Sequence, residues 1–192
     1  AAGIRFEREP PTTFEGKVIN PLTWRVPGRQ KYRIAGGREV EGDWSQAAFF
    51  IAMAVHVKGL RADSSQGDRA IMEHILRIAR GPNGVTVDVR DTPDLYPVLS
   101  AFAAANDRAV NFIGTERLRL KESDRIASTA EMIAAIRRGD PVDTHGDHRI
   151  AMSAAVMACY SKIPVTVEGA ECVAKSYPDF WGDFEKLERK DA

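Results

Sequence analysis

Three stretches of the chain, residues 42–55, 93–105 and 146–158, are apolar on every face once their opening turn is passed. A helix lying on a protein surface keeps a polar face. These keep none, so they are expected to be helices buried all round. Each opens at an aspartate, Asp43, Asp94 or Asp147, a residue suited to cap the free N–H groups of a first turn. Pro97 falls within a first turn, where its missing N–H costs little. Between them lie helices of ordinary amphipathic pattern, opening near Asp68-Arg69, Asp124-Arg125 and Pro178-Asp179. In the first of these, Ile71, Ile75, Leu76 and Ala79 are expected to pack inward, with Asp68, Glu73, Arg77 and Arg80 elsewhere. Alternation predicts short strands at 85–89, 109–113 and 165–167.

The pattern returns after about fifty residues. Three such repeats, about 42–90, 91–145 and 146–192, predict one α/β lobe with three helices inside and strands and other helices outside. Residues 1–41 read differently. Strand-like stretches at 4–9 and 23–27 are joined by a Pro-containing connection, and Ala1-Ala2-Gly3 reads as a helix end with a glycine cap. On this reading the chain starts in the middle of a larger fold.

Charge is concentrated in two strings, Leu120-Lys121-Glu122-Ser123-Asp124-Arg125-Ile126 and Gly146-Asp147-His148-Arg149-Ile150-Ala151-Met152. A helix used only for packing has no need of such a start, but one that holds a multiply charged anion does. Its free N–H groups and positive dipole end face the ligand, and Arg or Lys supplies formal charge. If the helices run roughly parallel, their N-termini gather into one positive surface.

Composition narrows the class. Lys+Arg and Asp+Glu number 27 each, for a net charge of zero. That balance argues against a nucleic-acid or membrane-surface partner, which needs a basic face. No apolar run approaches the roughly 20 residues of a membrane span and no signal peptide stands out, so a soluble cytoplasmic protein is expected. Cys159 and Cys172 lie in or beside apolar segments and read as reduced core residues. His145 and His148 form a His-x-x-His pair, but two ligands without further Cys or His make a thin metal site. A metal-dependent hydrolase built on them is the weakest class, and no metal or other cofactor is expected.

The two strings, taken with Gly42-Asp43-Trp44-Ser45-Gln46-Ala47-Ala48-Phe49-Phe50, Thr92-Pro93-Asp94 and Lys175-Ser176-Tyr177-Pro178, occur in an order that resembles the 5-enolpyruvylshikimate-3-phosphate synthases. The resemblance runs from residue 1 to near 190. It implies one lobe of the enolpyruvyl transferase fold, an inside-out α/β barrel of βαβαββ repeats with buried parallel helices and outer strands and helices. Residues 1–41 then correspond to strands of the other substrate lobe plus the crossover, and 42–192 to the lobe that binds phosphoenolpyruvate. The family's N-terminal Lys-Ser segment, Gly-Asn-Ala-Gly-Thr loop and Ser-Ser-Gln motif have no counterpart here. Ser64-Ser65-Gln66 precedes a Gly67-Asp68 turn and is not assigned to substrate. The chain therefore resembles about half of such an enzyme, with the N-terminal half as its missing partner, and is expected to be inactive alone.

The implied reaction moves the enolpyruvyl group of phosphoenolpyruvate to the 5-hydroxyl of shikimate 3-phosphate, releasing phosphate through a tetrahedral intermediate. Glyphosate is the implied inhibitor of the whole enzyme. Arg125 and Arg149 suit a carboxylate, since guanidinium makes bidentate contacts; surface pairing with Asp124 and Asp147 is the plainer alternative. Lys175 is matched to phosphoenolpyruvate or its departing phosphate and Lys121 to the shikimate moiety or its phosphate, with plain solvation the alternative for both, and His148 to a hydrogen-bonding role at the site. Asp94 and Glu122 are the implied acid–base pair, Asp94 taking the hydroxyl proton and Glu122 moving the proton at the methylene carbon. Against this, Asp94 could simply cap its helix and Glu122 sit in solvent. Asp43, Trp44 and Ser45 read as structural, and Asp147 as a cap that orients a neighbouring cation. A binding module that holds phosphoenolpyruvate without turnover is the competing class.

Overall fold

The computed structural model describes residues 5–20, 22–31, 36–37 and 39–187. They fall into two compact units, divided between Val40 and Glu41. In the first unit, β1 (Glu7–Glu9) pairs antiparallel with β4 (Thr23–Arg25), Glu7 opposite Arg25. The Phe6 and Trp24 rings lie 5.2 Å apart. Between them β2 (Thr12–Phe14) and β3 (Lys17–Asn20) form a hairpin. Its two-residue loop, Glu15-Gly16, has positive φ at both positions (50° and 76°), the conformation whose twist matches the strands. The strands are shorter than the sequence suggests, and Ala1 to Ile4 lie outside the described residues.

The second unit carries α1 (Trp44–Ala52), α2 (Ile71–Arg80), β5 (Val85–Asp88), α3 (Tyr96–Ala105) and β6 (Val110–Ile113). It continues with α4 (Arg125–Arg138), β7 (Val142–Asp143), α5 (His148–Tyr160), β8 (Val167–Glu168) and α6 (Phe180–Glu185). β5 and β6 pair in parallel, Val85 opposite Val110. β7 and β8 do the same, Val142 opposite Val167. Parallel neighbours need a crossover, and here α3 and α5 provide it. The two crossover helices pack on each other, which explains why their sequences keep no polar face. Val98 to Ala103 and His148 to Met157 are buried without interruption. The repeat is therefore an amphipathic helix, a strand, a buried helix and a second strand.

The core has two parts. Phe49, Ile71, Ile78, Leu95, Leu99 and Met152 pack with Phe180, whose ring touches Phe49, Phe50, Tyr177, Trp181 and Phe184. Ala101, Met132, Ile136, Ile150 and Ala154 form the other. Two glycines hold required turns. Gly139 ends α4 with φ 77°, the left-handed cap that glycine adopts without strain. Gly169, at φ 70°, leads from β8 into a 3-10 turn, Ala170–Lys175, and a Cβ there would sit 2.6 Å from the Thr144 hydroxyl.

Several expectations are corrected. Asp43 and Asp147 do cap α1 and α5, but Asp94 does not cap α3. It lies in a 3-10 turn, Pro93–Leu95, one residue short of the helix, and α3 starts without a side-chain cap. Asp68 and Asp179 lie near the starts of their helices as expected, Asp68 in a 3-10 turn, Gly67–Ala70, ahead of α2 and Asp179 just before α6. α1 stops at Ala52, because Ala54 turns into the left-handed region at φ 61°. In α2 the inward face is Ile71, His74 and Ile78, whereas Leu76 and Ala79 are exposed. Spacing of three and seven residues, not one and four, selected that face. The strand expected at 165–167 lies at Val167–Glu168. Cys159 is exposed in the last turn of α5, with its Sγ 3.3 Å from Met53 Sδ.

Candidate active site

Four local decisions set up the site. Pro93 forces a tight turn ahead of α3 and leaves the Asp94 carboxylate off its own helix. Asp124 caps α4 by accepting from the N–H groups of Ile126 and Ala127, which fixes Arg125 at the first helical position. Asp147 caps α5 by accepting from Arg149 N at 2.9 Å. The 3-10 turn after Gly169 ends on Lys175. The starts of three helices and the end of one turn thus deliver their charges to one place.

Arg125 is the hub, and only 1% of its side chain is exposed. Its Nε donates to Asp147 Oδ2 at 2.8 Å, and Nη2 to Asp147 Oδ1 at 3.2 Å. Nη1 donates to Asp94 Oδ1 at 2.6 Å and Nη2 to Glu122 Oε2 at 2.8 Å. Lys121 Nζ lies 3.0 Å from Asp94 Oδ1. Arg149 Nη2 donates to Asp94 Oδ2 at 3.3 Å, and Lys175 Nζ to Glu122 Oε1 at 2.7 Å. Ser123 adds a hydroxyl donor to Asp147 Oδ2 at 3.1 Å.

Asp94, Lys121, Glu122, Arg125, Arg149 and Lys175 are therefore one connected network, with Asp147 at its buried end. The plainer reading of Arg125 as a surface ion pair is corrected by its burial. Asp124 sits 3.7 Å from the exposed Arg119 instead. Glu122 is also not simply solvated, with its side chain 26% exposed between two cations.

Burial works to raise the Glu122 pKa, but the Lys175 hydrogen bond, its own backbone and Arg125 carry it down to about 2. Burial is also the largest influence on Asp94, and Arg149, Lys121 and Arg125 together overcome it, leaving the carboxyl below its ordinary range. Both are ionised at neutral pH. Burial, then the neighbouring Arg149 charge, lowers the His148 pKa, so its imidazole is neutral. Arg149 Nη1 and His148 Nδ1, on consecutive residues of the first turn of α5, are among the buried side-chain atoms without a hydrogen-bond partner. Buried polar groups are rarely left so, and both belong to the string expected to hold an anion.

His145 and His148 separate in role. His145 is turned toward Glu131 Oε2 at 2.8 Å and Asp143 Oδ2 at 3.6 Å, while His148 is buried. Among the described residues no group of three or more His, Cys, Asp or Glu side chains is arranged to hold a metal ion. No helix among them is long and apolar enough to cross a membrane.

Reading the sequence missed Ser123, and it missed how the Gln66-Gly67-Asp68 turn is used. Gln66 accepts from Trp44 N and donates to Gly42 O, both at 2.9 Å, and Asp68 accepts from the Ser45 hydroxyl. A Gln-Gly-Asp turn alone gives no signal of a partner some twenty residues earlier.

Comparisons with known proteins give the family. The family model for EPSP synthase (3-phosphoshikimate 1-carboxyvinyltransferase) matches residues 12–137 and 134–184. Curated relatives named 3-phosphoshikimate 1-carboxyvinyltransferase include that of Clostridium kluyveri, 38% identical over 200 aligned positions, covering 84% of this chain and 46% of the relative. That of Clostridioides difficile is 33% identical with the same coverage. That of Clostridium perfringens (strain 13) is 33% identical, covering 89% of this chain and 49% of the relative. The chain thus spans about half the length of the curated relatives it matches. With a matching model over most of its length, the chain belongs to the EPSP synthase family.

Proposed function

We propose that residues 42–192 are the phosphoenolpyruvate-binding, catalytic lobe of a cytoplasmic enolpyruvyl transferase, and that residues 1–41 belong to the other substrate lobe and the crossover. The complete fold on this reading is a pair of inside-out α/β barrels of βαβαββ repeats, with substrates held between the lobes. Its partner is the N-terminal half of the same protein, and glyphosate is its inhibitor. The observation that carries this reading is the ion network, in which Arg125 and Arg149 at two helix starts, Lys121 just ahead of α4 and Lys175 at the end of a turn are held together by carboxylates.

Without ligand, Asp94, Glu122 and Asp147 nearly balance Lys121, Arg125, Arg149 and Lys175. An incoming phosphate or carboxylate competes with them for the same donors. Arg149, with its unused Nη1, and Arg125 take the phosphoenolpyruvate carboxylate. Lys175 takes the phosphate, and Lys121 turns to shikimate 3-phosphate. Glu122, once released from Lys175 and Arg125, loses the influences that kept its pKa low and becomes able to carry the proton for the methylene carbon. Asp94, freed in turn as Lys121, Arg125 and Arg149 engage the substrates, serves as the base for the 5-hydroxyl. His148 donates one hydrogen bond to the same anion.

The 192-residue chain alone is expected to bind phosphoenolpyruvate without turnover, because holding two substrates in register supplies much of the rate of such a reaction. The test is phosphate release from phosphoenolpyruvate, with and without shikimate 3-phosphate. It is run on the chain alone and on the chain joined to the N-terminal half of the Clostridium kluyveri relative. Release should require both the joined protein and shikimate 3-phosphate. Turnover by the chain alone, or release indifferent to shikimate 3-phosphate, would overturn the reading.

A further inference from the structure

Lys121, Glu122 and Ser123 form a bend between the 3-10 turn Glu116–Leu120 and Asp124, the cap of α4. A bend lacks the repeating backbone hydrogen bonds of a helix, so side-chain ties carry much of its order. Among the described residues, Lys121 Nζ lies 3.0 Å from Asp94, and Glu122 lies 2.8 Å from Arg125 and 2.7 Å from Lys175. Ser123 Oγ donates to Asp147 Oδ2 at 3.1 Å. The ties of Lys121 and Glu122 are ion pairs, and each includes a cation that the proposed substrates engage. The tie of Ser123 does not. Its acceptor, Asp147, is 0% exposed and negatively charged, so a substrate anion has no reason to take its place.

We infer that Ser123 is a positioning residue for the transfer reaction. Its hydrogen bond to Asp147 keeps Glu122 in place once substrates have drawn Lys121, Arg125 and Lys175 away from their carboxylates. This rests on the function proposed above. The anchor is well fixed. Asp147 Oδ2 also accepts from Arg125 Nε at 2.8 Å, while Oδ1 accepts from Arg125 Nη2 at 3.2 Å and from Arg149 N at 2.9 Å. Both oxygens are thus filled by donors to their ordinary capacity, and the carboxylate is bound to the starts of both α4 and α5. Ser123 directly follows Glu122, so its hydroxyl carries that fixed point to the proton carrier one residue away. The residue type matters. A lysine here would be drawn toward the substrate anion, whereas a neutral hydroxyl stays with Asp147, in a bond strengthened by the acceptor's charge.

The tie can be tested without substrate. In the 192-residue chain, Lys121→Ala combined with Glu122→Ala removes the ion pairs and leaves the bend on Ser123. NMR order parameters of the backbone amides at 121–123 should stay at about 0.85 in that double variant, and fall below about 0.6 when Ser123→Ala is added. Ser123→Thr, which keeps the hydroxyl, should preserve the order. Equal rigidity with and without the hydroxyl would overturn the inference. The consequence for the reaction is read in the joined protein. There Ser123→Ala should lower kcat roughly tenfold, the value of one such hydrogen bond, with KM for phosphoenolpyruvate level and Ser123→Thr restoring kcat. A merely structural serine would alter stability without that split, and an unchanged kcat would overturn the positioning role. Absence of turnover in the unsubstituted joined protein would count against the proposed function, while the order parameters still decide the tie.

Discussion

Arg125→Ala should destabilise the second unit by about 3–5 kcal/mol, the range measured when one member of a buried ion pair is removed. For a unit of this size that corresponds to a drop in melting temperature of roughly 10 °C. The reason is what the substitution leaves behind. Asp147 is 0% exposed and loses both of its guanidinium bonds, while Asp94 and Glu122 each lose a cation. Distance alone would not predict this effect. Arg138–Asp140 is as close, at 2.6 Å, but with side chains 62% and 53% exposed, it is worth about 0–1 kcal/mol at most. Urea unfolding of the two alanine variants separates the cases. Arg125→Met combined with Asp147→Asn should recover much of the loss, because it removes the stranded charge and keeps an α5 cap. A loss below about 1 kcal/mol for Arg125→Ala would mean that the network is solvated.

The second large effect is on turnover. In the joined protein, Glu122→Gln and Asp94→Asn should each lower kcat by about 10²–10⁴-fold, the usual contribution of a positioned acid or base. Both keep size and hydrogen-bonding shape, so the fold should persist. Glu122→Gln also removes a carboxylate that competes with the substrate for Lys175 and Arg125. Its KM for phosphoenolpyruvate should therefore stay level or fall while kcat drops. A purely structural role would raise KM and lower stability together. Near-normal rates in both variants would remove the two carboxylates from the chemistry.

Much of this arrangement was legible from residue patterns, for physical reasons. A helix used as a crossover between parallel strands is covered on all sides, so its sequence loses its polar face. That is why the segments at 93–105 and 146–158 stand out, and α1, within 42–55, lacks a polar face because it packs on both of them. The strands at Val85–Asp88 and Val110–Ile113 alternate cleanly enough to be read directly. Lys and Arg crowded at helix starts pointed to an anion site, and their side chains do meet.

What stayed hidden depends on contacts across the fold. Asp94 has the sequence position of a cap, and only the 3-10 turn at Pro93 shows that its carboxylate belongs to Lys121, Arg125 and Arg149. Arg125 is legible as a carboxylate binder, but nothing in its sequence shows that α5 brings Asp147 against it and buries it. Leu76 has the right residue type for a core position, but His74, three residues after Ile71 and four before Ile78, shares their buried face and Leu76 does not. Cys159 lies in an apolar run whose final turn emerges into solvent, with Tyr160 beside it 40% exposed.

On the proposed function, Arg125 and Arg149, held by carboxylates in the free chain, are the receivers of phosphoenolpyruvate. Arginine side-chain Nε–H NMR of the 192-residue chain during addition of phosphoenolpyruvate tests it most directly. Saturable shifts at Arg125 and Arg149, with the exposed Arg61 and Arg138 unmoved in their pairs with Asp63 and Asp140, are the predicted result. Silence at Arg149, or equal movement at the exposed arginines, would contradict it.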